Sequence, residues 1–117
     1  MKPAVIGVVG PCAAGKSSLV AELRSRGYTV KHIAQEHSYV PAMWQRIARP
    51  DILIFLAVSY PLTIQRRRLD WTPAEYAEQL RRLEHAHQHA HLHVQTDDLT
   101  PEQVLQVVLD FLLSNPA

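Results

Sequence analysis

Cysteine and long hydrophobic runs are both scarce in this sequence. Cys12 is the single cysteine, which excludes an internal disulfide and suits the reducing environment of the cytosol. The longest apolar run, residues 52–58, is far shorter than the roughly 20 residues that span a bilayer. The first apolar run, residues 4–9, is too short for the core of a signal peptide. We therefore expect a cytoplasmic protein with no membrane partner.

An excess of charge of either sign is lacking too. The chain has 12 Lys and Arg residues against 11 Asp and Glu residues, a formal net charge of +1. This balance gives no electrostatic reason to expect nucleic acid as a partner. Hydrophobic residues at 47% and charged residues at 20% are the proportions of a globular protein. We expect one domain over residues 1–117, and the sequence is compatible with a homodimer.

Apolar runs alternate with helical patterns along the chain. Thr72 and Thr100 are each followed by proline and, at the third helical position, by Glu or Gln, which predicts two capped helix starts. The alternation predicts an α/β fold of three layers, with a short parallel sheet of about four strands and helices on both faces. The predicted strands are residues 4–9, 28–33, 52–58 and 91–95, and the other predicted helices are residues 16–26, 41–48 and 61–69.

Residues 10–17, here called the glycine loop, have the sequence GPCAAGKS and match G-x-x-x-x-G-K-[ST] at every fixed position. Gly10 and Gly15 permit backbone angles at which successive N–H groups surround an anion, and the following helix adds further donors. Lys16 can neutralise phosphate charge, and Ser17 can hold Mg²⁺. The alternative is a chance turn, but the loop follows a buried strand and opens a helix, as the motif requires. The predicted nucleotide-binding residues are Gly10, Pro11, Cys12, Ala13, Ala14, Gly15, Lys16, Ser17 and Ser18, with Lys16 also catalytic and Ser17 a metal ligand.

With this motif, the chain resembles the small P-loop kinases, the group of nucleoside and nucleotide kinases, shikimate kinase and dephospho-coenzyme A kinase. The similar segments are AVIGVVGPCAAGKSSLVAELRSRGYTV, RPDILIFLAVSYPLTIQRRR and HLHVQTDDLTPEQVLQVVLDFL, of which only the glycine loop is specific. The resemblance implies a P-loop NTPase fold, ATP and Mg²⁺ as cofactors, and transfer of the γ-phosphoryl group to a small-molecule acceptor. GTP is less expected, because Asn115 is the only asparagine and a guanine-binding N-K-x-D motif cannot occur.

Two departures from that family leave a second interpretation open. Only residues 35–50 separate the second strand from the third, so a strand–helix unit that carries part of the acceptor site is missing. The strand at residues 52–58 is followed by Ser59, where such kinases place a Mg²⁺-holding aspartate. The alternative is therefore a non-catalytic nucleotide sensor or partner-binding module.

The loops that follow the strands hold the candidates for chemistry, because ligands of open α/β sheets bind there. Glu36 follows the second strand and resembles the glutamate that nucleoside kinases use as the base for the acceptor hydroxyl. It could instead hold Mg²⁺ through water, or be a solvated loop carboxylate. His37 beside it is a second candidate for proton transfer.

Arginines 66, 67 and 68 form a basic cluster at the end of the third predicted helix. If residues 66–73 fold over the glycine loop as a reduced lid, at least one of them can clamp phosphoryl oxygens, and Arg67 is the predicted catalytic one. A solvated helix face is the alternative, since three adjacent arginines cannot all point one way.

Histidine is unusually frequent, and alternate positions between 85 and 93 invite a metal interpretation. We consider a polar helix end more consistent with the spacing, because neither Cys nor a well-placed carboxylate completes a metal site there. Cys12 lies near Lys16 and a helix N-terminus, so redox control of the loop is a further hypothesis. Asp97 and Asp98 are expected to shape the turn before the last helix. The histidines concerned are His85, His87, His89, His91 and His93.

Overall fold

A computed structural model describes residues 3–67 and 70–114 of the chain. Within these residues lie four strands and five helices, with a helix after every strand, two helices in succession between the third and fourth strands, and one short 3₁₀ turn after the second strand. The predicted α/β class is confirmed. In chain order the elements are β1 (Val5–Val9), α1 (Lys16–Ser25), β2 (Thr29–His32), the 3₁₀ turn (Gln35–His37), α2 (Met43–Ala48), β3 (Ile52–Ala57), α3 (Tyr60–Arg67), α4 (Pro73–His89), β4 (Leu92–Gln95) and α5 (Pro101–Ser114).

All four strands are parallel and lie in the order β2-β1-β3-β4. β1 is central, and Ile6 lies opposite Val30 of β2 and Ile52 of β3. The strand predicted at residues 28–33 is an edge strand, as its mixture of β-formers and polar residues suggests. Since the strands are parallel, their carboxyl ends meet at one edge of the sheet.

Helices cover both faces of the sheet, and each face has its own buried cluster. Val8 points into the cluster under α1 and α5, where Leu23 and Val108 are fully buried. The next residue, Val9, belongs to the opposite cluster, where Leu83 of α4 is fully buried. This alternation along β1 is the period of two that a strand imposes, and it confirms the expected burial of both faces. Among the described residues, no helix combines the length and apolar character needed to cross a membrane.

Both predicted helix caps form. The Thr72 side chain accepts a hydrogen bond from the Glu75 backbone N–H, and the Glu75 carboxylate accepts one from the Thr72 N–H. Thr100 and Gln103 make the same reciprocal pair at the start of α5. Each cap satisfies backbone donors that would otherwise lack a partner in the first helical turn. The helix predicted at residues 41–48 begins later, at Met43, and residues 68 and 69 of the predicted 61–69 helix lie outside the described residues.

Candidate functional site

The glycine loop connects the carboxyl end of β1 to the first turn of α1. A Cβ atom at Gly10 would lie 2.3 Å from the Leu56 carbonyl oxygen, so no larger residue fits against β3 there. Gly15, just before α1, has a φ of 94°, and Ala13 also adopts a left-handed φ of 69°. These angles turn the chain sharply into α1, whose first N–H groups have no partner within the helix. Within the turn, the Cys12 and Ala14 N–H groups already donate to Gln79 Oε1 and to the Pro11 carbonyl oxygen, so the donors without a partner in regular structure are those at the start of α1.

Lys16 lies inside this turn instead of extending into solvent. Its side chain is 7% exposed, and its ammonium group donates hydrogen bonds to the carbonyl oxygens of Gly10 and Pro11. The same nitrogen forms an ion pair with the Glu36 carboxylate. A buried charge is tolerated only when it is paired in this way. The lysine therefore stands at the floor of the loop with one carboxylate as its counter-ion.

Glu36 is buried in the 3₁₀ turn after β2, with 4% of its side chain exposed, so the solvated-carboxylate alternative is wrong. One carboxylate oxygen pairs with Lys16. The other, Oε1, is fully buried and has no hydrogen-bond partner within residues 3–67 and 70–114. Such an oxygen costs free energy, since buried polar atoms almost always have partners. His37 is exposed beside it, with its Nε2 3.9 Å from Glu36 Oε2.

Gln79 of α4 forms hydrogen bonds with Cys12 of the glycine loop, a contact that the sequence did not predict. The Cys12 backbone N–H donates to Gln79 Oε1 over 3.0 Å, and Gln79 Nε2 lies 3.1 Å from Cys12 Sγ as a donor. Gln79 is buried, four residues before the buried Leu83. A polar residue at an inward-facing helical position was the available signal.

Arg66 reaches the loop from α3. Its guanidinium donates to Thr96 Oγ1 over 2.9 Å, to the Thr96 carbonyl oxygen, and to the Ala13 carbonyl oxygen over 3.3 Å. Arg67, the predicted catalytic arginine, is exposed and lines a cavity beside the glycine loop. Arg68 lies outside the described residues, so the proposed lid at residues 66–73 is described only in part.

A cavity of about 880 Å³ runs from the glycine loop to the start of α5. Its walls include charged residues, among them Glu36 and both arginines, and apolar ones, among them Leu99 and Val104. The volume and the combination of charged and apolar walls are typical of a small-molecule site. The turn between β4 and α5 is held by Asp97, whose Oδ1 accepts a hydrogen bond from the Ser59 N–H over 2.9 Å.

His32, at the end of β2, also lines this cavity. Partial burial lowers the pKa of its imidazole below 6.5, and the positive charges of Lys16 and Arg24 lower it further, while the Glu36 carboxylate offsets part of this shift. The ring is therefore neutral at physiological pH, and it adds no charge to the cavity.

The histidines of residues 85–93, the histidine-rich segment, make hydrogen bonds and ring contacts within the fold. Trp44 Nε1 donates to His85 Nδ1 over 3.0 Å, and the His85 and His89 rings stack with centroids 4.2 Å apart. His91 Nδ1 accepts a hydrogen bond from the Leu53 N–H over 2.9 Å, and the His93 ring meets His87 edge to face. Among the described residues, no group of three metal-ligating atoms converges in this segment. The polar helix-end interpretation fits these contacts.

The carboxyl edge of the sheet thus brings together most of the predicted site residues. Lys16 and Glu36 are in contact, while Ser17 and Arg67 lie on the wall of the same cavity. The predicted nucleotide-binding residues Pro11, Cys12, Ala13, Ala14, Gly15 and Ser18 line it as well, whereas Gly10 is not among its lining residues. No protein-family model matches the chain, and no curated protein is significantly similar to it.

Proposed function

We propose that this chain is a small P-loop protein of kinase type that binds ATP with Mg²⁺. The observation that carries the proposal is the buried Lys16 ammonium at the floor of the glycine loop, facing a cavity large enough for a nucleotide. The strand, loop and helix around it have the order that a phosphate-binding loop requires. The three-layer P-loop NTPase fold is part of this proposal.

The residues around the loop fit a triphosphate and its metal ion. Gly10 keeps the loop free of a side chain where β3 lies closest, and the start of α1 offers N–H donors to anionic oxygens. Lys16 would neutralise the β- and γ-phosphates, and the exposed Ser17 hydroxyl would hold Mg²⁺. When bound, ATP·Mg²⁺ supplies an activated phosphoryl group.

Phosphoryl transfer to a small hydroxylated acceptor is supported by Glu36. Its Oε1, which is buried without a hydrogen-bond partner among the described residues, would have to turn toward the cavity to take the proton of an acceptor hydroxyl, while the other oxygen stays with Lys16. Arg66 and Arg67, on the wall of the same cavity, would stabilise charge that develops on the transferring group. The glutamate is thus the proposed base, and the arginines are the proposed electrostatic stabilisers.

A non-catalytic nucleotide sensor is the second candidate, and two observations favour it. The carboxylate nearest to Lys16 already neutralises that lysine, and the strands β1, β2, β3 and β4 end in Val, His, Ala and Gln respectively. Within the described residues, the ends of these strands therefore provide no aspartate to hold Mg²⁺. A sensor needs only the phosphate contacts and would tolerate this.

Nucleotide binding by a Lys16→Met variant tests the proposal. We expect a loss of about 2–4 kcal/mol in ATP binding free energy, a decrease of roughly 30- to 1,000-fold in affinity measured by titration calorimetry. Lys31→Met is the matched control, because Lys31 is exposed on the edge strand and should leave affinity unchanged. Equal affinity in wild type and Lys16→Met, with both proteins folded by circular dichroism, would refute nucleotide binding at this loop.

Turnover separates the kinase from the sensor. The wild-type chain is incubated with ATP, Mg²⁺ and a panel of nucleosides, nucleotides and small hydroxylated metabolites, and product is detected by mass spectrometry. We expect product with at least one acceptor and its loss in Glu36→Gln. Tight ATP binding without product from any acceptor would favour the sensor.

A further inference from the structure

Three side chains with metal-ligating atoms converge at the mouth of the glycine loop. Cys12 Sγ, a carboxylate oxygen of Glu36 and a ring nitrogen of His37 all lie within 4.8 Å of one another. Cys12 belongs to the glycine loop, whereas Glu36 and His37 belong to the 3₁₀ turn after β2. The three come together because β1 and β2 are neighbours in the sheet, with parallel ends at one edge.

Glu36 provides an independent sign that a ligand belongs at this place. It is 3% exposed overall, and its Oε1 has no hydrogen-bond partner in the part of the chain that the structure describes. Burying a carboxylate oxygen without a donor is costly, and a cation would supply the partner. Glu36, Cys12 and His37 line the same cavity, which gives an ion a path from solvent.

We propose that Cys12, Glu36 and His37 form a binding site for a thiophilic divalent cation of the zinc class. A thiolate, an imidazole and a carboxylate are ligands that Zn²⁺ prefers, whereas Mg²⁺ selects oxygen ligands only. Three protein ligands with a fourth position facing a cavity are the arrangement of an open zinc site. The site is distinct from the Mg²⁺ position proposed at Ser17, and it does not depend on the chain binding a nucleotide. Because it uses Glu36, a bound cation and the proposed role of Glu36 as a base exclude each other.

Closing around an ion requires the side chains to move together. Bonds of about 2.0–2.3 Å in a tetrahedron hold the ligand atoms roughly 3.5 Å apart, so separations of up to 4.8 Å must shorten by as much as about 1.3 Å. His37 can make this movement because its side chain is 61% exposed. On binding, the Cys12 thiol releases its proton to solvent, and His37 binds as the neutral imidazole.

Neighbouring residues are placed to support such an ion. Gln79 Nε2 donates to Cys12 Sγ over 3.1 Å, which orients the sulfur. His37 Nε2 lies 3.9 Å from Glu36 Oε2, the oxygen that also pairs with Lys16, so a bound cation would share this carboxylate with the lysine. The charges of a thiolate and a carboxylate then balance a divalent cation, with Lys16 carrying the remaining positive charge.

Cobalt is the probe for this site, because Co²⁺ replaces Zn²⁺ and its spectrum reports the ligands. The full chain is treated with a chelator, dialysed and titrated with Co²⁺ without nucleotide. We expect one equivalent to bind, with thiolate-to-cobalt charge-transfer absorption in the near ultraviolet and strong tetrahedral bands in the visible, all removed by Zn²⁺. Saturating Co²⁺ without charge-transfer absorption would overturn the proposal.

Two variants and a control assign the ligands. Cys12→Ser should abolish the charge-transfer absorption, and His37→Gln should lower Co²⁺ affinity by at least tenfold. His37 is exposed, so its replacement tests the site without risk to folding. The control is His89→Gln, an exposed member of the histidine-rich segment, which should leave the spectrum unchanged. If His89→Gln removes the signal, or if His37→Gln keeps full affinity, the proposed site is wrong.

Discussion

The two faces of the sheet bury different kinds of side chain. Under α1 and α5 the buried cluster is aliphatic, with residues such as Leu23, Ile54 and Val108. Under α2 and α4, buried polar side chains lie among the apolar ones, and Gln35 and Gln79 are both less than 10% exposed. The first face stabilises the domain by burial, which is not directional. The second fixes particular backbone segments through hydrogen bonds, and these segments carry the candidate site.

Leu23→Ala should produce the largest effect and tests the aliphatic face. Leu23 is fully buried in α1, so the variant loses transfer free energy and leaves a cavity. We expect unfolding free energy to fall by about 2–5 kcal/mol, measured by urea denaturation. ATP affinity of the folded protein should stay unchanged, because Leu23 does not line the cavity.

Leu113→Ala on α5 is the control for that variant. Leu113 is 76% exposed, and its loss should alter unfolding free energy by less than about 0.5 kcal/mol. A similar loss of stability from both substitutions would contradict the assignment of the core to this face.

Gln35→Leu breaks the hydrogen-bonded face and should have the next largest effect. Gln35 Nε2 donates to the carbonyl oxygens of Val40 and Arg82, and Gln35 Oε1 accepts from the Trp44 N–H over 2.8 Å. Leucine leaves these groups unpaired, so we expect a loss of about 2–3 kcal/mol in unfolding free energy. Loosened packing around Trp44 should shift tryptophan fluorescence to longer wavelength, and the exposed Gln45→Leu should do neither.

Gln79→Leu tests the hydrogen-bonded face at the glycine loop, because it removes the hydrogen bonds between α4 and Cys12. We expect unfolding free energy to fall by about 1–2 kcal/mol and ATP affinity to fall severalfold. Faster amide hydrogen exchange at residues 10–17 would show that the loop has lost its support. The exposed Gln88→Leu on the same helix is the control, and equal exchange in the two variants would argue against this role for Gln79.

The smallest predicted effect concerns pH and His32. Burial lowers the pKa of His32 in the folded protein below the unfolded value of 6.5, so the unfolded chain binds the proton more tightly. Stability is therefore lost as the pH falls through about 6.5 toward the lower folded pKa. His32→Gln should reduce the difference between thermal midpoints at about pH 8 and about pH 5.5. An unchanged difference would mean that His32 is not a source of this pH dependence.

Local patterns predicted much of the fold. The apolar runs in β1 and β3 and the caps at Thr72 and Thr100 depend on neighbouring residues only, so the sequence suffices to locate them. The order β2-β1-β3-β4 required the structure, because it depends on packing between distant segments.

The contacts within the candidate site were harder to predict for the same reason. The Lys16–Glu36 pair joins residues twenty apart in sequence and depends on β2 lying beside β1. The Gln79–Cys12 contact depends on how α4 lies over the loop, and a single sequence does not encode that distance. Which of the adjacent arginines faces the loop depends on the rotation of α3, which places Arg66 against Thr96.

If the glycine loop binds a nucleotide as proposed, the Lys16–Glu36 pair would also select among anions by their charge. An anion that enters the glycine loop meets an ammonium group that an internal carboxylate already neutralises. A singly charged anion gains little there, since it must compete with a buried carboxylate that is fixed in contact with the ammonium. A polyanion such as a triphosphate can share its several charges among the lysine and the backbone donors of α1 at once. The internal counter-ion would thus reject common small anions, so that only highly charged ligands bind.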